Sequence, residues 1–275
     1  MAKENSKTTP EDYLRFCDRV GLEYYEDWPE DGMLDKSKVG LSLRVKEAVY
    51  DYDILKKLIS KRIKAATTLE IKLGHRVTSG RIEQNGTKVL VAEKQGEIRE
   101  FKFDFVINAM YANYNRFCDW FGFKRRLFQF NLQELNVIEL PTKMRLGVTI
   151  QDGPFPSFLP FGNSNKYLLA HVESSQLIRD VSSGTTPLLN RVNYVQSNWQ
   201  QIRDTCSDYI PLLQKATYLY SLVVDRVVDV TRLEEDARMT DITNHGCGCW
   251  SIFAAKIITS EAIAQEVAMQ IRREI

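Results

Sequence analysis

Asp104-Phe105-Val106-Ile107-Asn108-Ala109-Met110-Tyr111-Ala112 is the stretch whose reading decides the fold. Phe105-Val106-Ile107 is apolar without alternation, the pattern of a strand covered on both faces, as in a parallel sheet under helices. Just upstream the pattern is different. Arg76 to Ile82, Lys88 to Ala92 and Ile98 to Phe103 alternate, with Asn85-Gly86 and Gln95-Gly96 between them. Such turn pairs between alternating runs predict an antiparallel meander. Leu69-Glu70-Ile71-Lys72-Leu73 alternates in the same way and predicts a further half-buried strand.

Further out, helices frame these strands. Thr9-Pro10-Glu11-Asp12 combines an N-cap, a proline at the first helical position and acids in the first turn; Gly21 stops the helix. Tyr13, Phe16, Cys17 and Val20 share its apolar face. Residues 22–40 are acidic and turn-rich, a surface loop, and Leu41 to Val45 is a short strand. A second helix starts near Asp51 or Asp53, with Ile54, Leu55, Leu58, Ile59 and Ile63 as its stripe. Downstream, Gln133 to Glu139, Arg145 to Ile150, Phe158 to Phe161 and Tyr167 to Val172 are strands with no helical pattern between them, hence an antiparallel sheet. Asn198 to Leu213 is expected to be helical, Tyr218 to Val230 a strand, and the last helix runs from about Ala255.

Composition narrows the function classes. The 37 basic and 36 acidic residues give net +1, so no global field favours nucleic acid or an anionic membrane. No apolar run nears membrane-spanning length, and the start is polar rather than signal-like. Five scattered cysteines, an odd number, point to a reduced, cytoplasmic setting. Cys247-Gly248-Cys249 near His245 lacks a fourth ligand at zinc spacing, so a glycine-rich turn is the preferred reading and no metal is expected.

The order of elements resembles the FAD-dependent oxidoreductases of the D-amino-acid oxidase and glycine oxidase type, over most of the chain. Four places carry the resemblance: Ala48 to Leu55, an acidic entry to a helix; Leu69 to Val77, a strand and turn; Asp104 to Ala112, a buried strand ending in Asn108-Ala109; and Asp236-Ala237-Arg238 followed by Ala254-Ala255-Lys256-Ile257-Ile258-Thr259. The middle region, Gly153 to Phe161 and Leu168 to Val172, is similar to the family's substrate-domain hairpin.

The resemblance implies a mixed α+β fold, a partial Rossmann-like FAD-binding domain interleaved with an antiparallel-sheet substrate domain. Its implied boundaries are 1–44 (substrate portion), 45–118 (FAD), 119–221 (substrate sheet) and 222–275 (FAD). It implies FAD contacts at Val77, Asn108, Ala109, Tyr111, Ala254, Ala255, Lys256 and Ile257, with the last helix's N-terminal amides facing the flavin pyrimidine oxygen. Two alanines stand where the family has glycines, and Lys256 is equally readable as a solvated lysine. It implies hydride transfer from a C–H beside an amine or hydroxyl of a small substrate to flavin. Arg145, Tyr167, His171 and Arg238 are the substrate-facing candidates. His171 in an apolar strand is more often a core histidine, and Arg238 more often a salt-bridge partner.

No Gly-x-Gly-x-x-Gly occurs in the 275 residues, although the family's dinucleotide grip depends on it. Three explanations compete: a truncated reading frame, half of a split enzyme completed by a separate N-terminal FAD-binding fragment, or a chain that has lost flavin. The first is favoured, because a parallel sheet lacking its core strand exposes apolar edges. The alternative function is a non-catalytic ligand- or partner-binding protein derived from a flavoprotein.

Overall fold

The computed structural model describes residues 1–30, 32–142, 145–232, 240–254 and 256–275. In chain order the elements are α1 (Pro10–Val20), β1 (Tyr24–Glu26), β2 (Leu43–Val45), α2 (Tyr52–Ala65), β3 (Arg76–Ile82), β4 (Lys88–Lys94), β5 (Glu97–Phe103), β6 (Val106–Asn108) and α3 (Tyr114–Phe121). Then follow β7 (Phe128–Glu139), β8 (Val148–Thr149), β9 (Pro156–Pro160), β10 (Lys166–His171), β11 (Gln176–Ser182), α4 (Trp199–Ser207), β12 (Thr217–Asp229), β13 (Asp241–Gly246), β14 (Cys249–Phe253) and α5 (Ser260–Arg272). Helices and largely antiparallel strands mix, as the sequence predicts. The chain forms two compact units, Met1–Leu69 with Gln133–Leu177 and Tyr194–Val224, and Glu70–Leu132 with Ile178–Asn193 and Asp225–Ile275. It crosses between them within β7, β11 and β12.

The first unit is built on antiparallel strands. β10 pairs with β7 on one edge (Tyr167↔Ile138, Leu169↔Asn136) and with β9 on the other (Leu169↔Phe158, His171↔Pro156), and β8 continues from β9. Paired residues share a face, so Ile138, Phe158, Tyr167 and Leu169 form one surface. Ile202, Cys206 and Ile210 pack against it, making the main core. Burial pushes the Cys206 thiol up to about 12, the behaviour of an inert core cysteine. α4 ends at Ser207, and a 3-10 turn (Pro211–Lys215) follows in place of one long helix, because Pro211 has no N–H to continue the ladder.

At the start of the chain, Thr9 accepts from the Asp12 amide and Gly21 closes α1 in the left-handed region at φ 68°. Only Cys17 of its apolar face is buried; Phe16 and Val20 are exposed. Asp51 caps α2, accepting from the amides of Asp53 and Ile54, yet no residue of α2 is buried. Residues 22–40 are not all loop, since β1 pairs with β2. Leu69 to Leu73 forms no strand and its apolar side chains are exposed. An alternating pattern supplies a face for a sheet, but it needs a neighbouring strand to become one.

The second unit holds two three-stranded sheets, β3-β4-β5 and β13-β14-β6. The first is the antiparallel meander that Asn85-Gly86 and Gln95-Gly96 announce. β3 runs so close to α3 that a Cβ on Gly80 would stand 2.7 Å from the Phe121 ring. In the other sheet β13 is antiparallel to β14, and β14 is parallel to β6. Val106, Phe117 and Cys249 form the core between strand and helix. α5 begins at Ser260, after a 3-10 turn at Ile257–Thr259, so it starts later than the periodicity of its apolar residues suggests. It is tied down by Trp250, whose indole donates to Gln270 Oε1 at 3.1 Å.

Candidate functional site

The place where chemistry concentrates in the second unit is the carboxyl end of the parallel pair. The register Cys249↔Val106, Trp250↔Ile107, Ser251↔Asn108 brings both strands to the same edge together. Open sheets of this kind bind ligands at the carboxyl ends of their parallel strands. The tight turn that feeds β14 requires glycine: Gly248 lies at φ +69°, and a Cβ there would sit 2.8 Å from the Asp104 carbonyl oxygen.

Asn108 locks the end of β6. Its amide donates to Ser251 Oγ at 3.0 Å and to the Tyr114 carbonyl at 3.3 Å, while its Oδ1 accepts from the Met110 amide at 3.0 Å. Ser251 Oγ also meets His245 Nε2 at 2.8 Å. The His245 ring stacks on Phe123 at 4.4 Å, and burial lowers its pKa. The buried Asn108 side chain therefore faces inward and is fully engaged, which leaves the exposed backbone of Ala109 as the surface at the strand end.

Tyr111 follows in the left-handed region at φ 47°, an uncommon position for a bulky residue. Its hydroxyl accepts from the Val227 amide at 2.8 Å and its ring stacks on Phe253 at 5.7 Å. Phe253 in turn stacks on Phe128 at 4.9 Å and meets the edge of Tyr114. Within this aromatic group lies Arg126, its guanidinium carbon 5.4–5.6 Å from the ring centres of Phe253, Tyr114 and Phe128. It pairs with Asp229 and, at 2.9 Å, with Asp241. Burial acts to lower the Arg126 pKa, but the hydrogen bond it donates to Asp241 and the charge of Asp229 hold it above the ordinary arginine value. Burial likewise acts to raise the Asp229 carboxyl, but its bonds from Thr231 and the Arg126 charge keep it below the usual range.

On the other strand, Ala254 is exposed directly beyond Phe253, and exposed Lys256 and Ile257 lead into the 3-10 turn before α5. No side chain caps the start of α5; the 3-10 turn does so instead, the Ser260 amide donating to the Ile257 carbonyl and the Thr259 amide to the Lys256 carbonyl. Ala255 and Arg238 lie outside the described residues. Of the expected cofactor contacts, then, Asn108, Ala109 and Tyr111 stand at the end of one strand and Ala254, Lys256 and Ile257 beyond the end of its parallel neighbour. Val77 lies on β3, paired with Ala92 in the meander and next to a bulge.

The substrate-facing candidates fall in the first unit. Tyr167 is buried beside Phe158, its ring edge-on at 5.6 Å, on the face packed by α4. His171 ends β10 on that same face. Its Nδ1 accepts from the amides of Glu173 (3.3 Å) and Ser174 (3.1 Å), and its own amide donates to Ser175 Oγ. Burial lowers its pKa, opposed by the charge of Glu173 and a hydrogen bond to the Pro154 backbone. Accepting at Nδ1, the ring staples the turn at Glu173–Ser174. Arg145 is exposed; its guanidinium donates to Asn163 Oδ1 at 3.1 Å and to the Gly162 carbonyl.

Sequence reasoning overlooked two groups. Arg126 sits in an unremarkable Lys124-Arg125-Arg126 run, and its signal was the apolar strand that follows at once. Glu134 lies in a segment, Gln133 to Glu139, whose sequence marks only a strand. It is completely buried, and its carboxylate accepts from Asn136 Nδ2, Ser197 Oγ, Ser221 Oγ and the Asn198 amide at the start of α4. Four donors and a helix N-terminus replace a cation there. Cys247 and Cys249 flank the turn at Gly248; burial pushes Cys249 up to about 11, and among the described residues no three metal-ligating side chains converge.

The sequence matches no protein-family model and no curated protein. The fold is similar to that of glycine oxidase from Geobacillus kaustophilus, with a TM-score of 0.61 and 15% identity over 90% of this chain and 63% of that one. It is also similar to iminodiacetate oxidase from Chelativorans sp. BNC1, with a TM-score of 0.55 and 12% identity over 88% of this chain and 61% of that one. At these identities the likeness establishes the fold, a mixed α/β chain of the glycine oxidase type. The chain spans less than two thirds of the length of either neighbour.

Proposed function

We propose that the chain is the larger part of an FAD-dependent oxidoreductase acting on the C–H beside an amine or hydroxyl of a small molecule. The observation that carries the reading is the parallel pair β6–β14, in which Asn108 at the end of β6 stands opposite Ser251 and β14 runs on to Phe253, in a fold of the glycine oxidase type. The residues present suit the isoalloxazine and adenine parts of a flavin: small residues at both strand ends, an aromatic group around a fixed arginine, and an exposed lysine before α5. They do not supply a pyrophosphate grip, which needs a glycine-rich turn after a parallel strand. In this reading that grip comes from a separate fragment.

When bound, the flavin supplies the redox step by accepting hydride. The protein's own residues orient and polarise. Asn108, bonded to Ser251 and Tyr114, holds the β6 end in place. Lys256 would offer positive charge where reduction places negative charge on the cofactor. The sheet of the first unit takes the substrate role. Arg145 presents exposed donors for a carboxylate, while Tyr167 and His171 act from within the sheet by fixing β10. A reducing compartment such as the cytoplasm suits the five free thiols, and no described helix is long and apolar enough to cross a membrane.

The test is a titration with FAD, alone and with candidate fragments, followed by absorbance at about 450 nm. Bound flavin that bleaches anaerobically with glycine or iminodiacetate, the compounds in the two neighbours' names, supports the oxidoreductase. Protein that stays colourless under all these conditions returns the chain to the non-catalytic binding reading.

A further inference from the structure

Helix α2 is anchored at one end and bare along its length. Asp51 caps it, and Asp51 Oδ2 also accepts from the Asn163 amide at 2.7 Å, which fixes the start of the helix to the turn between β9 and β10. Beyond that point no side chain of the helix is buried. Its residues are nevertheless sorted by face. Ile54 and Leu58 make one row at i and i+4, and Leu55, Ile59 and Ile63 make the adjoining one. Ile54, Leu58 and Ile59 are 49%, 57% and 46% exposed, and exposed Val49, Tyr50 and Tyr52 stand at the N-terminal end. Most helices of this length owe their stability to packing of the apolar face rather than to propensity, and a contiguous exposed stripe marks a contact surface.

We propose that α2 lies on an anionic phospholipid surface, with its aliphatic rows at the acyl-chain boundary and its cations among the headgroup phosphates. Charge selects this occupant. The chain as a whole is near neutral, but α2 carries Lys56, Lys57, Lys61, Arg62 and Lys64 against Asp53 alone. At 3.6 residues per turn Lys61 and Lys56 border the apolar rows on either side, and Arg62 continues the row of Ile54 and Leu58. A dry groove on a protein would have to desolvate Arg62 within the apolar face. A headgroup layer lets the same side chain reach phosphate while its methylenes stay against the acyl boundary. A second copy of this chain is disfavoured, because joining two such faces sets like charges together. A nucleic acid would engage the cations and leave the aliphatic rows uncovered. Tyr50 and Tyr52 add rings of the kind that settle at a membrane interface. The inference does not rest on the flavin reading.

The test is flotation of the full chain with vesicles of phosphatidylcholine alone and with vesicles that also hold about one-third phosphatidylserine. We expect the chain to float with the anionic vesicles and to partition at least about ten-fold more weakly onto the neutral ones. The double variant Lys56→Glu/Lys61→Glu reverses charge, whereas Leu58→Ser removes apolar area and leaves the charge alone. Each should weaken partition by about ten-fold or more. Ile59→Ser repeats the apolar test at a second position, and Ile98→Ser, at an exposed aliphatic residue of β5, should change nothing. Because α2 buries no side chain, circular dichroism and melting of these variants should match the parent. The proposal is overturned by a chain that floats with neither vesicle or equally with both. Partition that survives both Leu58→Ser and Ile59→Ser overturns it as well, since that is adsorption of charge alone. Tighter binding to polyglutamate or to RNA than to the anionic vesicles would give the face to an acidic protein or a nucleic acid instead.

Discussion

β10 and β6 are both short strands with an aliphatic residue at the centre, and the two sit in opposite circumstances. β10 has β7 on one edge and β9 on the other, and Leu169 is fully buried under α4. Among the described residues β6 pairs with β14 alone, and Ile107 stands partly in solvent. From sequence β6 reads as a strand covered on both faces and β10 as one strand of an antiparallel sheet. Apolar composition selects strand over loop, but the neighbours on each edge set the burial and therefore the cost of any change.

The comparison breaks if the two centres respond alike to a charge. Leu169→Lys places an ammonium among Ile138, Phe158 and Ile202, and is expected to cost more than about 4 kcal/mol, enough to prevent folding. Soluble yield and circular dichroism read this directly. Glu134→Ala, on β7 beside β10, strands four donors in the interior and should cost about 3–4 kcal/mol in urea unfolding, with Glu134→Gln near half of that.

In the second unit Arg126→Met leaves the Asp229 and Asp241 carboxylates without their cation, and should lower stability by about 3 kcal/mol. Acid should act next. His171 and His245 both have pKa values below the ordinary histidine value in the folded state, so the unfolded chain binds more protons below about pH 6.5. Their stabilisation is present above that pH and is lost as pH falls toward the folded values. Melting measured from pH 7 to 5 should drop, and His171→Asn should flatten the slope; an unchanged slope would show that the turn at Glu173–Ser174 does not need the neutral ring. The smallest effect belongs to Ile107→Lys in the isolated chain, within about 0.5 kcal/mol. A large loss there would mean that β6 is already covered.

Much of the fold was legible in the sequence for local reasons. Thr9, Asp51 and the Asn85-Gly86 turn act over a few residues, so the caps of α1 and α2 and the meander β3-β4-β5 stand where the pattern puts them. The sequence marks the turn at Cys247-Gly248-Cys249 but not the hairpin β13–β14 that it joins. The site was legible in part. Asn108-Ala109 and Ala254-Lys256 announce two strand ends, but nothing local says that β6 and β14 lie side by side, 143 residues apart at the Asn108–Ser251 hydrogen bond. Arg126 and Glu134 were invisible for the same reason. Their partners come from distant segments, and a charged residue's burial cannot be read from its own neighbourhood in the chain.

By itself, then, the sequence determined the helix starts, the turns, the alternation of antiparallel strands and the absence of a glycine-rich phosphate loop, because backbone preference and side-chain period are short-range properties. Tertiary structure alone decided that β6 and β14 run parallel with Asn108 opposite Ser251, that Tyr167 and His171 face a packed core, and that Arg126 and Glu134 have their charges satisfied by distant partners. Pairing and burial depend on which segments meet, and that is a property of the whole chain rather than of any window in it.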